Sequence, residues 1–438
     1  MNARIRAVAA AALVIVWTGL LAAQTKNVPR RAVWDSGLTV ITDTDDSSPV
    51  TVLEIIIRGG RRAETAGKEG LSYLTTRLTL EIPDQGKVQE LMEKSSRYMM
   101  ASRGDESLIH IECLTEFLDA TLAVMTKILG DPLFSGIRIE HVRDFMDNQR
   151  KIEADDNVSL GHLALLDAIL GPLGYGGSVY GTKQALAGIR ARDIEAFYNE
   201  RYAPPNMILV SISNLGPAEL ENVLRKHFGR FKAGKPAPPP SSARTRPATP
   251  GAPDQARETI IGKDTTQVFV SLGYALPPVG PKSYAAGILL ESLLGNGPGS
   301  RLWPLRTERK LAYNVNAQAI AFADGGLFSA YLETDGTKRD EARRALAEAM
   351  RTVWESGVSA EELAAAKAFA RTELLRANET KSRRAATLGE LEALGLGAEH
   401  FLRLFEDLNS QSLADMNAFI RETLAPEKSW LVLVGPKL

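Results

Sequence analysis

DIEAFYNERYAPPNMILVSISNLGP (Asp193–Pro217) and DMNAFIRETLAPEKSWLVLVGP (Asp415–Pro436) share one internal order: an amphipathic helical pattern, an Ala-Pro turn and an apolar strand pattern. They stand about 220 residues apart. At the same offset, SAEELAAAKAFARTELLRAN, in which Ser359 and Glu362 form a capping box ahead of a long helix, takes the place held in the first half by RIEHVRDFMDNQRKIEADD from Arg138. A duplicated domain is the simplest cause. Between the copies runs AGKPAPPPSSARTRPATPGAPDQAR (Ala233–Arg257), with one acid and no hydrophobic periodicity. Such a stretch cannot bury enough surface to fold, and as a polyproline-like linker it could span on the order of 50 Å or more.

Each half alternates strands and helices irregularly. Val50–Gly60 and Ser107–Leu114 read as strands in the first half, and Thr266–Leu276 and Gly326–Thr334 in the second. Helical patterns come after them, as in Glu116–Leu129. Strands in neighbouring pairs with helices between the pairs predict an α+β chain. The expected architecture is two homologous α/β-sandwich domains, 28–232 and 258–438, each a mostly antiparallel sheet with helices packed on it, joined by the Pro-rich linker 233–257.

Composition narrows the partners. A chain of 438 residues with 44% hydrophobic content is large enough for two packed units. Its 52 basic and 53 acidic side chains nearly cancel, which leaves no electrostatic footprint for nucleic acid. Arg4 and Arg6, the apolar run Ala7–Ala22 and the small residues Ala22 and Ala23 before Gln24 read as an export signal, residues 1–23. The mature chain is then expected in an oxidising extracytoplasmic compartment, the periplasm in a Gram-negative host, with no membrane span. Leu21 suits cleavage less well than alanine, so a retained anchor is the alternative. The lone Cys113 cannot form an internal disulfide and reads as a small buried hydrophobe.

Common catalytic constellations are missing. His110, His141, His162, His227 and His400 are all more than five residues apart, so local zinc motifs of the H-x-x-x-H or H-x-x-E-H kind are absent. His110, Glu112 and Cys113 form a compact cluster, but a metal site needs three or four convergent ligands, and these read as ordinary strand side chains with the cysteine inward. There is no G-x-S-x-G elbow. GNGPGSR (Gly295–Arg301) lacks the Lys-Ser/Thr ending of a phosphate loop and reads as a turn between two helices.

IIIRGGRRAETAGKEGLSYLTTRLTL (Ile55–Leu80) resembles the strand, glycine and helix in which pitrilysin/insulinase (inverzincin) metallopeptidases place H-x-x-E-H. GSRLWPLRTERKLAYNVNA (Gly299–Ala317) resembles the family's second diagnostic segment. The likeness of order and spacing extends over nearly all of the chain after the signal segment. In active members two histidines sharing a helix face and a distant glutamate hold zinc, while the motif's own glutamate activates the bound water. The corresponding residues here are Tyr73, Leu74, Thr75, Thr76 and Arg77, which supply neither histidine nor base. The third ligand's register points to Gln149 or Arg150, with Glu153 about one helical turn away. Arg77 would moreover place a permanent positive charge where the metal belongs. The resemblance therefore implies a zinc-less member, with no metal in this chain.

The second segment is better kept. The family uses an arginine and, seven residues later, a tyrosine to hold the scissile peptide and the oxyanion that develops on it, and Arg306 and Tyr313 have that spacing. Taken alone, the pair would read as a surface arginine and a core tyrosine. Set in the resemblance, they imply the catalytic contribution of a metal-free subunit to a related H-x-x-E-H partner carrying zinc, in a heterodimer that encloses an unfolded peptide. Peptide would add as a strand along Ser95–Arg103. The rival expectation is a non-catalytic peptide-binding or structural scaffold subunit. An independent enzyme with a different nucleophile has no constellation to support it.

Overall fold

The computed structural model describes residues 28–82, 85–94, 96–231, 234–238, 257–295 and 297–437. The expected signal, 1–23, lies outside the described residues, as does the linker apart from 234–238 and Arg257.

The first half builds a six-stranded sheet from β1 (Arg30–Val33), β2 (Thr39–Thr44), β3 (Val50–Arg58), β4 (Arg97–Ser102), β5 (Glu106–Leu114) and β6 (Met207–Ser213), in the order β1-β2-β6-β3-β5-β4. The second builds a five-stranded sheet from β7 (Glu258–Lys263), β8 (Gln267–Leu276), β9 (Asn314–Phe322), β10 (Gly325–Asp335) and β11 (Trp430–Pro436), in the order β7-β11-β8-β10-β9. Without β1 the two orders superimpose strand for strand. Each sheet has one parallel pair, β2 with β6 and β7 with β11, and is otherwise antiparallel. The duplication legible in the sequence is thus a duplication of topology, and both sheets are mixed.

Six helices frame the sheets and the site: α1 (Leu71–Leu80), α2 (Gly136–Asp155), α3 (Asn157–Leu170), α4 (Pro281–Leu294), α5 (Ala360–Ala377) and α6 (Lys381–Ala393). The predicted capping box holds: Glu362 N–H donates to the Ser359 hydroxyl, and the Glu362 carboxylate accepts from the Ser359 N–H. Helices α2 and α5 are the repeat-related pair, and α3 and α6 come directly after them in the chain.

Those two later helices cross between the halves. Leu165 and Leu170 of α3 bury themselves against Phe269, Leu327, Tyr331 and Val432 of the second sheet. Ala385 and Leu388 of α6 pack on Val52, Ile56, Ile208 and Val210 of the first. In both, a helical glycine permits the approach: a Cβ on Gly161 would fall 2.2 Å from the Phe269 ring, and one on Gly389 2.4 Å from Ile56 Cδ1. A glycine inside a helix weakens it relative to alanine, so close sheet contact is what these positions gain. The exchange also explains why β3 and β6 are apolar runs without alternation: one face is covered by helices of their own half and the other by α6.

Polar contacts reinforce the exchange. Arg31 donates to both carboxylate oxygens of Glu392, at 2.9 and 3.0 Å, and Lys381 donates to the carbonyls of Ser48 and Val50. The tips of the β4–β5 and β9–β10 hairpins meet in a clasp. Tyr175 stacks on Phe322 with centroids 4.3 Å apart, Asp105 accepts from Ala323 N–H at 2.9 Å, and Arg62 pairs with Asp324.

Candidate functional site

Helix α1 begins where Gly70 and Ser72 donate their backbone N–H groups to the buried carboxylate of Glu64, at 3.0 and 2.9 Å. A carboxylate at a helix N-terminus satisfies orphan donors and opposes the helix dipole. Nine of the ten α1 residues are buried, Arg77 being the exception.

The positions that the family resemblance aligns with the zinc motif are filled by packing. The Tyr73 ring lies nearly parallel to Phe145 of α2, centroids 6.5 Å apart, and edge-on to Tyr180 at 4.8 Å. Burial, helped by Tyr180, pushes the Tyr73 phenol up to about 12. Thr76 donates to the Ser72 carbonyl and accepts from the Tyr202 hydroxyl, each at 2.8 Å. Leu74 and Thr75 are fully buried. Arg77 is half-buried with its guanidinium 5.3 Å from the centre of the Phe145 ring.

The expected third-ligand positions are engaged elsewhere. Arg150 pairs with Asp147 on its own helix, and Glu153 accepts from the Ser178 hydroxyl. Burial pushes the Glu153 carboxyl above its usual range. Among the described residues no group of three or more His, Cys, Asp or Glu side chains converges as a metal site.

The second segment has the opposite character. Arg306 is exposed on the one-turn helix Trp303–Thr307, its guanidinium 5.1 Å from the Trp303 ring centre. Tyr313 stands just before β9 and is 62% exposed, so it is not the core aromatic its residue type alone would suggest. Its backbone N–H is tied to the Glu333 carbonyl at 2.9 Å, which fixes the main chain and leaves the phenol outward. Among the described residues neither side chain makes a hydrogen bond or ion pair. The structure therefore brings Tyr73, Thr76 and Arg77 together on α1, and places Arg306 and Tyr313 on one exposed segment, without a polar or ring contact between the two groups.

Among the described residues strand β4 pairs only with β5, so its far edge is open, within the expected peptide segment. Its neighbour β5 carries a cluster that local sequence presents as ordinary strand residues. His110 Nδ1 lies 2.7 Å from Glu54 Oε1 of β3, and Glu112 accepts from Ser382 of α6. Burial works against charge on His110, but the hydrogen bond and charge of Glu54 outweigh it and hold the imidazole above its usual range. Glu54 escapes a reading of sequence because nothing in its local pattern distinguishes it; only the β3–β5 register reveals the pair. Cys113 faces the core as expected, and burial pushes its thiol up to about 11.

Residues 188–369 match the family model described as the peptidase M16 inactive domain. Over 421 residues, 93% of each chain, this protein is 27% identical to an uncharacterized zinc protease of Mycobacterium tuberculosis. It is 24% identical to the non-peptidase homolog YmxG of Helicobacter pylori over 389 residues, 87% of this chain and 88% of that one. In fold it is similar to the peptidase M16 inactive domain from Pseudomonas fluorescens, with a TM-score of 0.84 at 18% identity over 94% of this chain and 98% of that one. It also resembles the first half of the periplasmic protease PqqL from Escherichia coli, with a TM-score of 0.73 at 15% identity over 93% and 92% of the two chains. Against whole PqqL it spans 47% of the chain. The fold anticipated from the pitrilysin/insulinase resemblance is thus the two-domain M16 fold. Among the described residues no helix is long and apolar enough to cross a membrane.

Proposed function

We propose that this chain is the non-zinc subunit of a heteromeric M16 peptidase: it binds an extended peptide along β4 and supplies Arg306 and Tyr313 to the zinc site of a partner bearing H-x-x-E-H. The observation that carries this reading is the contrast between a zinc motif closed by Tyr73, Thr76 and their packing partners and an Arg306/Tyr313 segment that presents both donors to solvent. A guanidinium and a phenol are suited to a developing oxyanion, and exposed side chains with no internal partner are available to another subunit. The size relation to PqqL supports pairing, since a chain of this length corresponds to one half of that protease. The chain itself holds no zinc in this reading, and it works in the periplasm, which the N-terminal pattern and the likeness to a periplasmic protease support.

A scaffold without a catalytic part is the second reading, favoured by likeness to a relative named a non-peptidase homolog. One experiment separates the two. The mature chain is co-purified with its partner from the native host, the partner is identified by mass spectrometry, and peptide hydrolysis is measured with each protein alone and mixed. The peptidase reading expects no turnover from this chain alone and turnover of the mixture well above the partner's own. Arg306→Ala or Tyr313→Phe should lower it about 10²-fold or more in an intact complex. Full activity with both variants transfers the assignment to the scaffold. Elemental analysis should find no stoichiometric zinc in the isolated chain, and N-terminal sequencing of exported protein should begin near Gln24.

A further inference from the structure

Arg77 is the one charged side chain in LSYLTTRLTL. Among the described residues the guanidinium makes no hydrogen bond or ion pair, only its contact with the Phe145 ring. Its surroundings differ in this respect. Arg138 is paired with Glu81, Arg143 with Glu140 and Arg150 with Asp147, while Glu153 is taken by Ser178. Among the described residues a half-buried fork of five donors is thus left facing an aromatic wall.

The open edge of the first sheet runs beside this group. Met100 of β4 packs on the Tyr73–Leu74 core, and Tyr98 packs on the inner core of the same sheet, so both point to the α1 side. Tyr98 is close enough to Arg77 for the guanidinium's charge to act on its phenol, which burial pushes up. Arg97 and Met99 alternate outward, Met99 being largely exposed. A peptide strand paired to the free edge of β4 would therefore run past the C-terminal end of α1.

We propose that Arg77 is a carboxylate-binding site for peptides laid along β4, so that the closed metal site has become a selector for an acidic side chain or a C-terminal carboxylate. The planar guanidinium offers two parallel donors to a carboxylate, and partial burial strengthens that pairing relative to one at an open surface. Phe145 holds the fork from one side, as a ring face does for a cation. This assignment rests on the peptide-binding part of the function proposed above, but not on catalysis in trans.

The test uses the full mature chain and fluorescence anisotropy with three labelled peptides of one extended sequence: a neutral form with glutamine and an amidated C-terminus, a form with glutamate in place of that glutamine, and a form with a free C-terminal carboxylate. At least one carboxylate form should bind about tenfold or more tighter than the neutral form, and the advantage should shrink with added salt. The form that gains identifies the source of the carboxylate. Arg77→Met should abolish the advantage and leave neutral-peptide affinity unchanged, while Arg77→Lys should keep only part of it. Equal binding of all three peptides to the wild-type chain overturns the Arg77 site while leaving peptide binding intact, and it requires no variant to fold. An advantage that survives in Arg77→Met overturns it too. Failure of every peptide to bind removes the peptide-binding reading together with this one.

Discussion

Helix α1 and the Trp303–Tyr313 segment, which the family resemblance pairs as the two parts of one centre, have opposite characters in this structure. On α1 the side chains fill space and satisfy one another: Tyr73 between two rings, Thr76 between the Ser72 carbonyl and the Tyr202 hydroxyl. Around Arg306 and Tyr313 the backbone is anchored while the functional groups remain outside. Interior positions have to be packed and satisfied, because an empty or half-satisfied cavity costs stability. Side chains that face solvent need only a fixed backbone.

This contrast can be broken experimentally. The largest effect should come from Tyr73→Ala, which removes a buried ring and should cost about 3–5 kcal/mol in urea unfolding, as large aromatic truncations do. A loss below about 1 kcal/mol would mean that the ring is not part of the core. Next, Arg306→Ala and Tyr313→Phe should leave stability within about 0.5 kcal/mol of wild type while lowering turnover of the complex. Destabilisation there would show that the segment is structural. Thr76→Val should cost about 1 kcal/mol by removing one of the two threonine partners of the Tyr202 hydroxyl, Thr79 being the other, and Tyr202→Phe should cost less when Thr76 is already valine.

The smallest expected effect concerns pH. The side chains compared above include no carboxylate or imidazole, so a pH dependence near neutrality has to arise elsewhere. Burial pushes the Glu106 carboxyl up to about 7; Arg103 opposes it, and Asp105 and Glu390 add to it. The folded chain then keeps a proton that the unfolded chain releases at an ordinary carboxylate pKa, so this contribution is fully present in acid and is lost as pH rises through about 7. Unfolding midpoints should fall between mildly acidic and mildly alkaline buffer, and Glu106→Gln should flatten that slope. An unchanged slope would assign the dependence to other groups, such as Glu54 and His110.

Much of the fold could be read from local pattern. The repeat of helix, Ala-Pro turn and strand predicted two copies of one unit, and the long buried strands were visible as apolar runs. Short edge elements were not: β1 has four exposed residues and β7 alternates weakly, so neither carries a strong apolar signal. The absence of a local H-x-x-E-H pattern was legible because ligand chemistry admits few residue types. The outward direction of Tyr313, the Glu54–His110 pair and the crossing of α3 and α6 all depend on register or on long-range packing, which no window of sequence contains.

That crossing bears on what counts as a unit. Were the chain severed at its linker, the first fragment would leave Val52, Ile56, Ile208 and Val210 bare on one sheet face, and the second would expose Phe269, Leu327 and Val432. Each fragment would be insoluble by itself yet a specific ligand for the other, so co-expression should rescue both. In these terms each half is completed by a helix of the other, as in a helix-swapped pair whose members are joined by a linker.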